Sequence, residues 1–109
     1  MSKGSFAHLS LPPIASDALK KLGQNFKIAR LRRRESRKLW AQRLGVSIPT
    51  LIRLEQGDPG VGLGICATAL WLMGRTQAIL ELADPKHDQG ALEKEIREAS
   101  LRYAPRRKN

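Results

Sequence analysis

The chain of 109 residues is short of nearly everything that catalytic or metal chemistry requires. It has one cysteine, Cys66, so no intramolecular disulfide can form, and a reducing compartment fits. His8 and His87 are isolated, and one cysteine cannot complete a zinc site with them. Aromatic residues make up only 5% of the sequence. No Ser/His/Asp set, phosphate-cradling glycine loop or paired-carboxylate arrangement is present. We therefore expect no enzyme, no cofactor, no bound metal and no small-molecule substrate. The longest mostly apolar run, Val61 to Gly74, is 14 residues, whereas a membrane span needs about 20. The beginning, "MSKGSFAHLSLPP", has neither a hydrophobic signal core nor a small-residue cleavage site, so a cytoplasmic location is expected, with no membrane partner.

Acid is scarce as well. Ten Asp and Glu stand against 20 Lys and Arg, a net charge of +10. Such a balance suits a polyanionic partner, most simply nucleic acid. The charge is also polarised. Residues 1–57 hold 12 basic and 3 acidic side chains, residues 58–100 hold 4 and 7, and residues 101–109 hold 4 and none. A protein that sets one face on DNA and keeps another for protein partners would have this asymmetry.

What is present is helical periodicity. Residues 1–15 carry Pro12 and Pro13 and little regular pattern, and are expected to form an arm. Ser16 and Asp17 supply a cap and a first-turn acid. Leu19, Leu22, Phe26 and Ala29 then form an apolar stripe over a first helix, about Ser16 to Arg33. Ser36 can cap a second helix that runs to Leu44 and ends at Gly45, a left-handed terminator. Ser47 can cap a third, Ile48 to Gln56, with Pro49 in the first turn where its missing N–H costs little. Gly57 ends it. "DPGVGLG" delivers a fourth helix, about Leu63 to Met73, closed by Gly74, and a fifth runs from about Arg75 to Leu82. "ALEKEIREASLRY" forms a sixth helix or a partly ordered tail, followed by Pro105 and a loose basic end. No strand pattern or repeat is visible. The expected fold is all-α: an arm over 1–15, a compact five-helix body over 16–83, and a C-terminal segment with basic tail over 84–109.

The second and third helices carry the functional argument. Trp40, Ala41 and Leu44 lie on one face of the second, and Leu51 and Leu54 on the inward face of the third. Only Gly45-Val46-Ser47 joins them. Small Ala41 permits a close approach and Gly45 permits the positive φ of a tight turn. That is helix-turn-helix geometry, in which the later helix projects and fits a major groove.

Residues 30–57, "RLRRRESRKLWAQRLGVSIPTLIRLEQG", resemble the helix-turn-helix of lambda-repressor-like regulators of the XRE or Cro type. The matching elements are Arg30, Ala41, Gly45, Val46, Ser47, Thr50, Leu51, Leu54, Glu55 and Gly57. At lower specificity the likeness extends over about 16–83. "LPP" before the first helix, "LEQGDPGVGLG", "LWLMG" and "ELADPKHDQG" are similar to HipB-type antitoxins, dimeric repressors that partner HipA-type Ser/Thr kinase toxins. Two departures stand out. The turn before the second helix usually carries Gly-Leu or similar, and here it is Arg34-Glu35. Ser36 is followed three residues later by Leu39, so no capping box forms.

The resemblance implies a homodimeric, sequence-specific repressor on a palindromic operator in double-stranded DNA, nucleoid-associated when bound. Under it, Arg37 reaches a phosphate beside the N-terminus of the second helix, and Gln42, on the same exposed side, is a second phosphate candidate. Ser47, Ile48, Pro49, Thr50 and Arg53 form the presented face of the third helix. Thr50 bonds a phosphate or a base. Arg53 is the first choice for a guanine edge, with a phosphate as its alternative. Ile48 and Pro49 either cover thymine methyls or serve only packing and helix initiation. Arg30 and Glu55 are implied to pair and hold the first helix to the third. Arg32, Arg33, Arg34 and Lys38 line the DNA backbone or merely solvate the surface. Trp71 and Met73 sit at core or dimer spacing. The alternatives are a stand-alone or prophage regulator and a non-specific basic nucleic-acid-coating protein.

Overall fold

The computed structural model describes residues 11–103, all of them in helices, turns or irregular segments. Most of the expected arm and the basic end after Tyr103 lie outside the described residues. The elements are α1 (Pro13–Arg32), α2 (Arg37–Leu44), α3 (Ile48–Glu55), α4 (Leu63–Leu72), α5 (Thr76–Glu81), a short 3-10 turn (Pro85–His87) and α6 (Gln89–Tyr103). The described chain is thus all-helical. It divides into two compact units, one ending at Thr76 and the other beginning at Gln77, within α5.

The first helix begins earlier than its apparent cap. Pro12 is the N-cap, Pro13 the first helical residue, and the Ser16 N–H already bonds the Pro12 carbonyl at 3.0 Å. Proline's fixed φ suits the first position, and its missing N–H removes a donor that would have had no partner. Ser16 is therefore an interior residue of the first turn. The other caps follow the sequence. Ser36 accepts from the Leu39 N–H at 3.1 Å, and Ser47 from the Thr50 N–H at 3.3 Å. Asp88 caps α6 through the Ala91 N–H at 3.0 Å, which starts that helix at Gln89.

Two left-handed residues turn the chain around α2. Gly45 sits at φ 69°, and Arg34 adopts φ 54° in the preceding turn. A Cβ at Gly45 would meet nothing within 4 Å, so the glycine is there for its backbone angle alone. Arg34 takes nearly the same angle with a side chain attached, at a cost of about 1 kcal/mol.

The core of the first unit is built from Phe26 and Ala29 of α1, Trp40 and Ala41 of α2, Leu51 and Leu54 of α3, and Ala69 of α4. Leu22, Leu44, Val46, Ile65, Cys66 and Met73 pack around it. Cys66 is half-buried, and desolvation pushes its thiol above the ordinary cysteine range. Trp71 is 64% exposed, which removes it from the core of its own chain.

Gly23 and Gly57 set how closely α1 meets the end of α3. A Cβ on Gly23 would lie 2.4 Å from the Gly57 nitrogen and 2.7 Å from the Leu54 carbonyl oxygen. One on Gly57, whose φ is +72°, would lie 2.3 Å from the Leu19 carbonyl oxygen. Both obstacles are backbone, which cannot swing aside as a side-chain end can. Gly23→Ala is expected to destabilise the first unit by roughly 1–3 kcal/mol, as overpacking does. Urea unfolding followed by tryptophan fluorescence measures this, and an unchanged midpoint contradicts the close crossing. In the same assay Arg34→Gly should raise stability by up to about 1 kcal/mol, relieved strain being partly offset by glycine's greater freedom in the unfolded chain. A loss of stability would mean that the left-handed angle carries no strain.

Candidate nucleic-acid interface

The polar framework under α3 centres on one carboxylate. Arg30 donates from Nε to Glu55 Oε2 at 2.7 Å and from an Nη to Glu55 Oε1 at 3.1 Å, a two-pronged pair. Its other Nη donates to the Glu35 carbonyl at 3.0 Å. Arg37 adds a third bond to Glu55, from Nε to Oε1 at 3.3 Å. The Glu55 side chain is 2% exposed and that of Arg37 41%, so the inner pair is sheltered while Arg37 reaches from the pair into solvent. Arg30 lies on α1, Arg37 on α2 and Glu55 on α3. One carboxylate therefore ties three helices together.

Arg37 is thus a bridging residue. With Nε committed to Glu55, its two terminal nitrogens make no hydrogen bond among the described residues and remain available to an anion beyond the N-terminus of α2. Gln42 is exposed, but five residues around a helix is a rotation of about 140°. Arg37 and Gln42 therefore do not share one side of α2, contrary to the expectation from sequence.

The turn before α2 is organised by Glu35, a residue that sequence reasoning treated only as a departure from a pattern. Its Oε1 accepts from the Trp40 indole N–H at 3.2 Å and its Oε2 from Arg43 at 2.6 Å. The Trp40 ring is fully buried, and Glu35 satisfies its polar edge as burial demands. The available signal was spacing: a carboxylate just ahead of a helix cap, followed by tryptophan and arginine on the first turns.

The exposed edge of α3 is a short polar chain. The Ser47 and Thr50 hydroxyl oxygens are 3.0 Å apart, and an Arg53 Nη approaches Thr50 Oγ1 at 3.4 Å. Two hydroxyl hydrogens share this chain and only one can lie between the oxygens. Whichever way the bond runs, one O–H remains free for an outside acceptor. The Arg53 contact is long and correspondingly weak, so most of its guanidinium donors stay available. Pro49 is exposed, and its lack of an N–H leaves the Ile48 N–H as the uncapped donor of the first turn. Ile48 itself is 41% exposed, neither packed away nor fully presented. The opposite face of α3, Leu51, Leu54 and Glu55, is buried. Ser47, Ile48, Pro49, Thr50 and Arg53 are therefore held on one end and edge of a helix whose back is fixed.

Arg32, Arg33, Arg34 and Lys38 are all exposed around the start of α2. Arg33 folds back onto the Ala29 carbonyl at 3.0 Å. Among the described residues no group of His, Cys, Asp and Glu is arranged to hold a metal ion, and no helix is long and apolar enough to cross a membrane. Comparison with protein-family models, curated proteins and solved structures finds no match for this chain.

Removing Glu55 should leave Arg30 buried without its counter-ion. Glu55→Ala is expected to lower stability by roughly 3–5 kcal/mol, while the paired change Arg30→Met with Glu55→Leu should cost much less. Chemical denaturation of Glu55→Ala, Arg30→Met and the double variant measures both. A double variant as unstable as the worse single one would show that the ion pair contributes more than mutual charge compensation.

Proposed function

We propose that the chain is a sequence-specific, double-stranded DNA-binding transcriptional repressor that acts as a homodimer on a palindromic operator. On this reading α2, the Gly45-Val46-Ser47 turn and α3 are a helix-turn-helix within a lambda-repressor-like fold. The observation that carries it is the Ser47–Thr50–Arg53 chain on the exposed edge of a helix whose other face is buried. A helix fixed in this way presents a donor array at a set height above the surface. A major groove accepts an α-helix, and base edges there offer acceptors that a guanidinium fork matches.

Electrostatics support the same reading. The half of the chain that contains α1 to α3 holds the excess of basic residues, and Arg37 extends from its Glu55 anchor toward solvent. Arg37 positions the complex on a phosphate, Gln42 is a separate backbone contact, and Thr50 and Arg53 read bases. Ile48 and Pro49 contribute apolar cover for thymine methyls in the groove. A single module buries too little surface to be selective alone. Two copies spaced about one helical turn apart, ~34 Å, would read a palindrome. Leu63 and Trp71, exposed on α4, a helix composed almost wholly of apolar residues, would also suit contact with a second protein.

Within this class the narrower reading is a HipB-like antitoxin and autorepressor of a HipA-type kinase operon. It rests on the loop patterns around α1, α4 and α5, and on the acidic 58–100 segment as a surface for a second protein. A kinase-like product encoded beside this gene and retained in a co-expression pull-down would support it. A plain or prophage regulator is the reading left standing if none is found. A non-specific coating protein fits the net charge, but the acidic 58–100 segment argues against it.

Selection of bound duplexes from a random pool is the decisive experiment. A repressor enriches an inverted repeat, whereas a coating protein enriches nothing. On the selected site, Arg53→Ala should weaken binding by roughly 1–3 kcal/mol and relax preference at one base pair per half-site. Arg37→Ala should instead weaken all sequences alike and flatten the salt dependence by about one phosphate's share. Unchanged base preference in the Arg53 variant would remove it from direct readout.

A further inference from the structure

The described residues of the second unit form no buried core. None of its described residues is buried, and Leu80, Leu82, Leu92, Ile96, Leu101 and Tyr103 are all exposed. Yet α6 runs through 15 residues, about the length at which an isolated helix is only marginally stable in water. Packing against something is the usual source of such a helix's stability.

The pattern on α6 says what that something is. Leu92, Ile96, Ala99 and Tyr103 recur at spacings of 4, 3 and 4, which lines them along one seam of the helix. Glu95 and Arg102 each sit one residue before a seam position, so they occupy the same flank seven residues apart. Antiparallel helices bring like flanks together. When the two copies are centred between Arg97 and Glu98, Leu92 faces Tyr103 of the second copy and Ile96 faces its Ala99. Each layer then sets a larger side chain against a partner at the other end of the same seam. Glu95 of each copy falls beside Arg102 of the other, and the two-fold axis makes this pair twice. On the other flank Glu93 meets the Ser100 hydroxyl. A parallel pair has none of this: it sets acidic end beside acidic end and opposes Glu95 to Ser100.

We propose that α6 pairs antiparallel with α6 of a second copy of this chain, through the Leu92–Ile96–Ala99–Tyr103 seam and two reciprocal Glu95–Arg102 ion pairs. The proposal rests on the homodimer reading above and specifies the contact and its register.

Sedimentation equilibrium of the full chain tests it through charge exchange, with circular dichroism recording helicity. The wild type should dimerise, and Ile96→Asp should abolish association. Glu95→Arg and Arg102→Glu should each weaken self-association by about tenfold, since each places like charges together twice. An equimolar mixture of these two variants should associate as well as the wild type, because both contacts become complementary in the mixed dimer. The double variant E95R/R102E should recover for the same reason, which excludes a damaged helix as the cause of weakness in the single variants. A monomeric wild type, dimers that survive Ile96→Asp, or no recovery in the mixture and the double variant would each overturn the proposal. Mobility shift on a selected duplex separates the two levels. Recovery by charge exchange without any sequence preference would retain the pairing and reject the repressor reading. Selective binding by a dimer that survives Ile96→Asp would do the reverse.

Discussion

The Glu55 carboxylate is the constraint on which the first unit depends. It receives three hydrogen bonds from two arginines on two different helices. The Arg30–Glu55 pair is buried, so neither charge can rely on water for compensation, and each holds the other in place. A buried pair of this kind adds little net stability over an apolar substitute, but it penalises any arrangement that separates the partners. It therefore acts chiefly as a registration device. α1 cannot slide along α3 without stranding a charge, and the Glu35 carbonyl bonded to Arg30 fixes where the chain turns toward α2.

The backbone fit at Gly23 and Gly57 works with this pair. Two glycines let α1 and the end of α3 approach to a distance that any Cβ would forbid. Proximity brings the Arg30 guanidinium within reach of Glu55, and the ion pair in turn penalises separation. Packing and electrostatics thus specify the same geometry, which is the agreement between levels expected of a uniquely folded chain. The consequence for the proposed site is direct. α3 is only eight residues long, too short to hold its own shape, and its orientation comes from what lies behind it.

How much of this was legible beforehand depended on the range of the interaction. Local devices were readable: Ser36 and Ser47 as caps, Gly45 as a left-handed stop, Pro49 in a first turn. Each is settled by a few neighbouring residues. The first helix starts ahead of the Ser16 cap because the preset φ of Pro13 already suits a first helical position. The alternation of buried Leu51 and Leu54 with half-buried Thr50 and exposed Arg53 follows from helical periodicity. Glu35 and Gly23 were not recognised, because their roles exist only across the fold. A glutamate in a turn does not reveal the indole it will satisfy. A glycine within a helix does not reveal the backbone that will lie against it. The pairing of Arg30 with Glu55 came from resemblance to a family and not from spacing, since 25 residues of separation carry no periodic signal. The spacing of Trp71 suits a core or a dimer position alike, and only the packing of α4 decides that it is exposed.

The two units make opposite use of charge. In the first, a buried pair fixes internal geometry and leaves an excess of basic side chains facing out. In the second, none of the described residues is buried and the charges of α6 alternate along an exposed apolar seam. Exposed ion pairs contribute little to affinity, because solvent and salt screen them. They are nonetheless effective at discriminating between partners and orientations, since a wrong alignment sets like charges together. The division of labour follows from solvation. Apolar contact along Leu92, Ile96, Ala99 and Tyr103 would supply the attraction, and Glu95 and Arg102 the choice of direction. The proposed pairing draws on no residue of the α3 edge. The surface proposed to read sequence and the surface proposed to count copies can therefore vary independently.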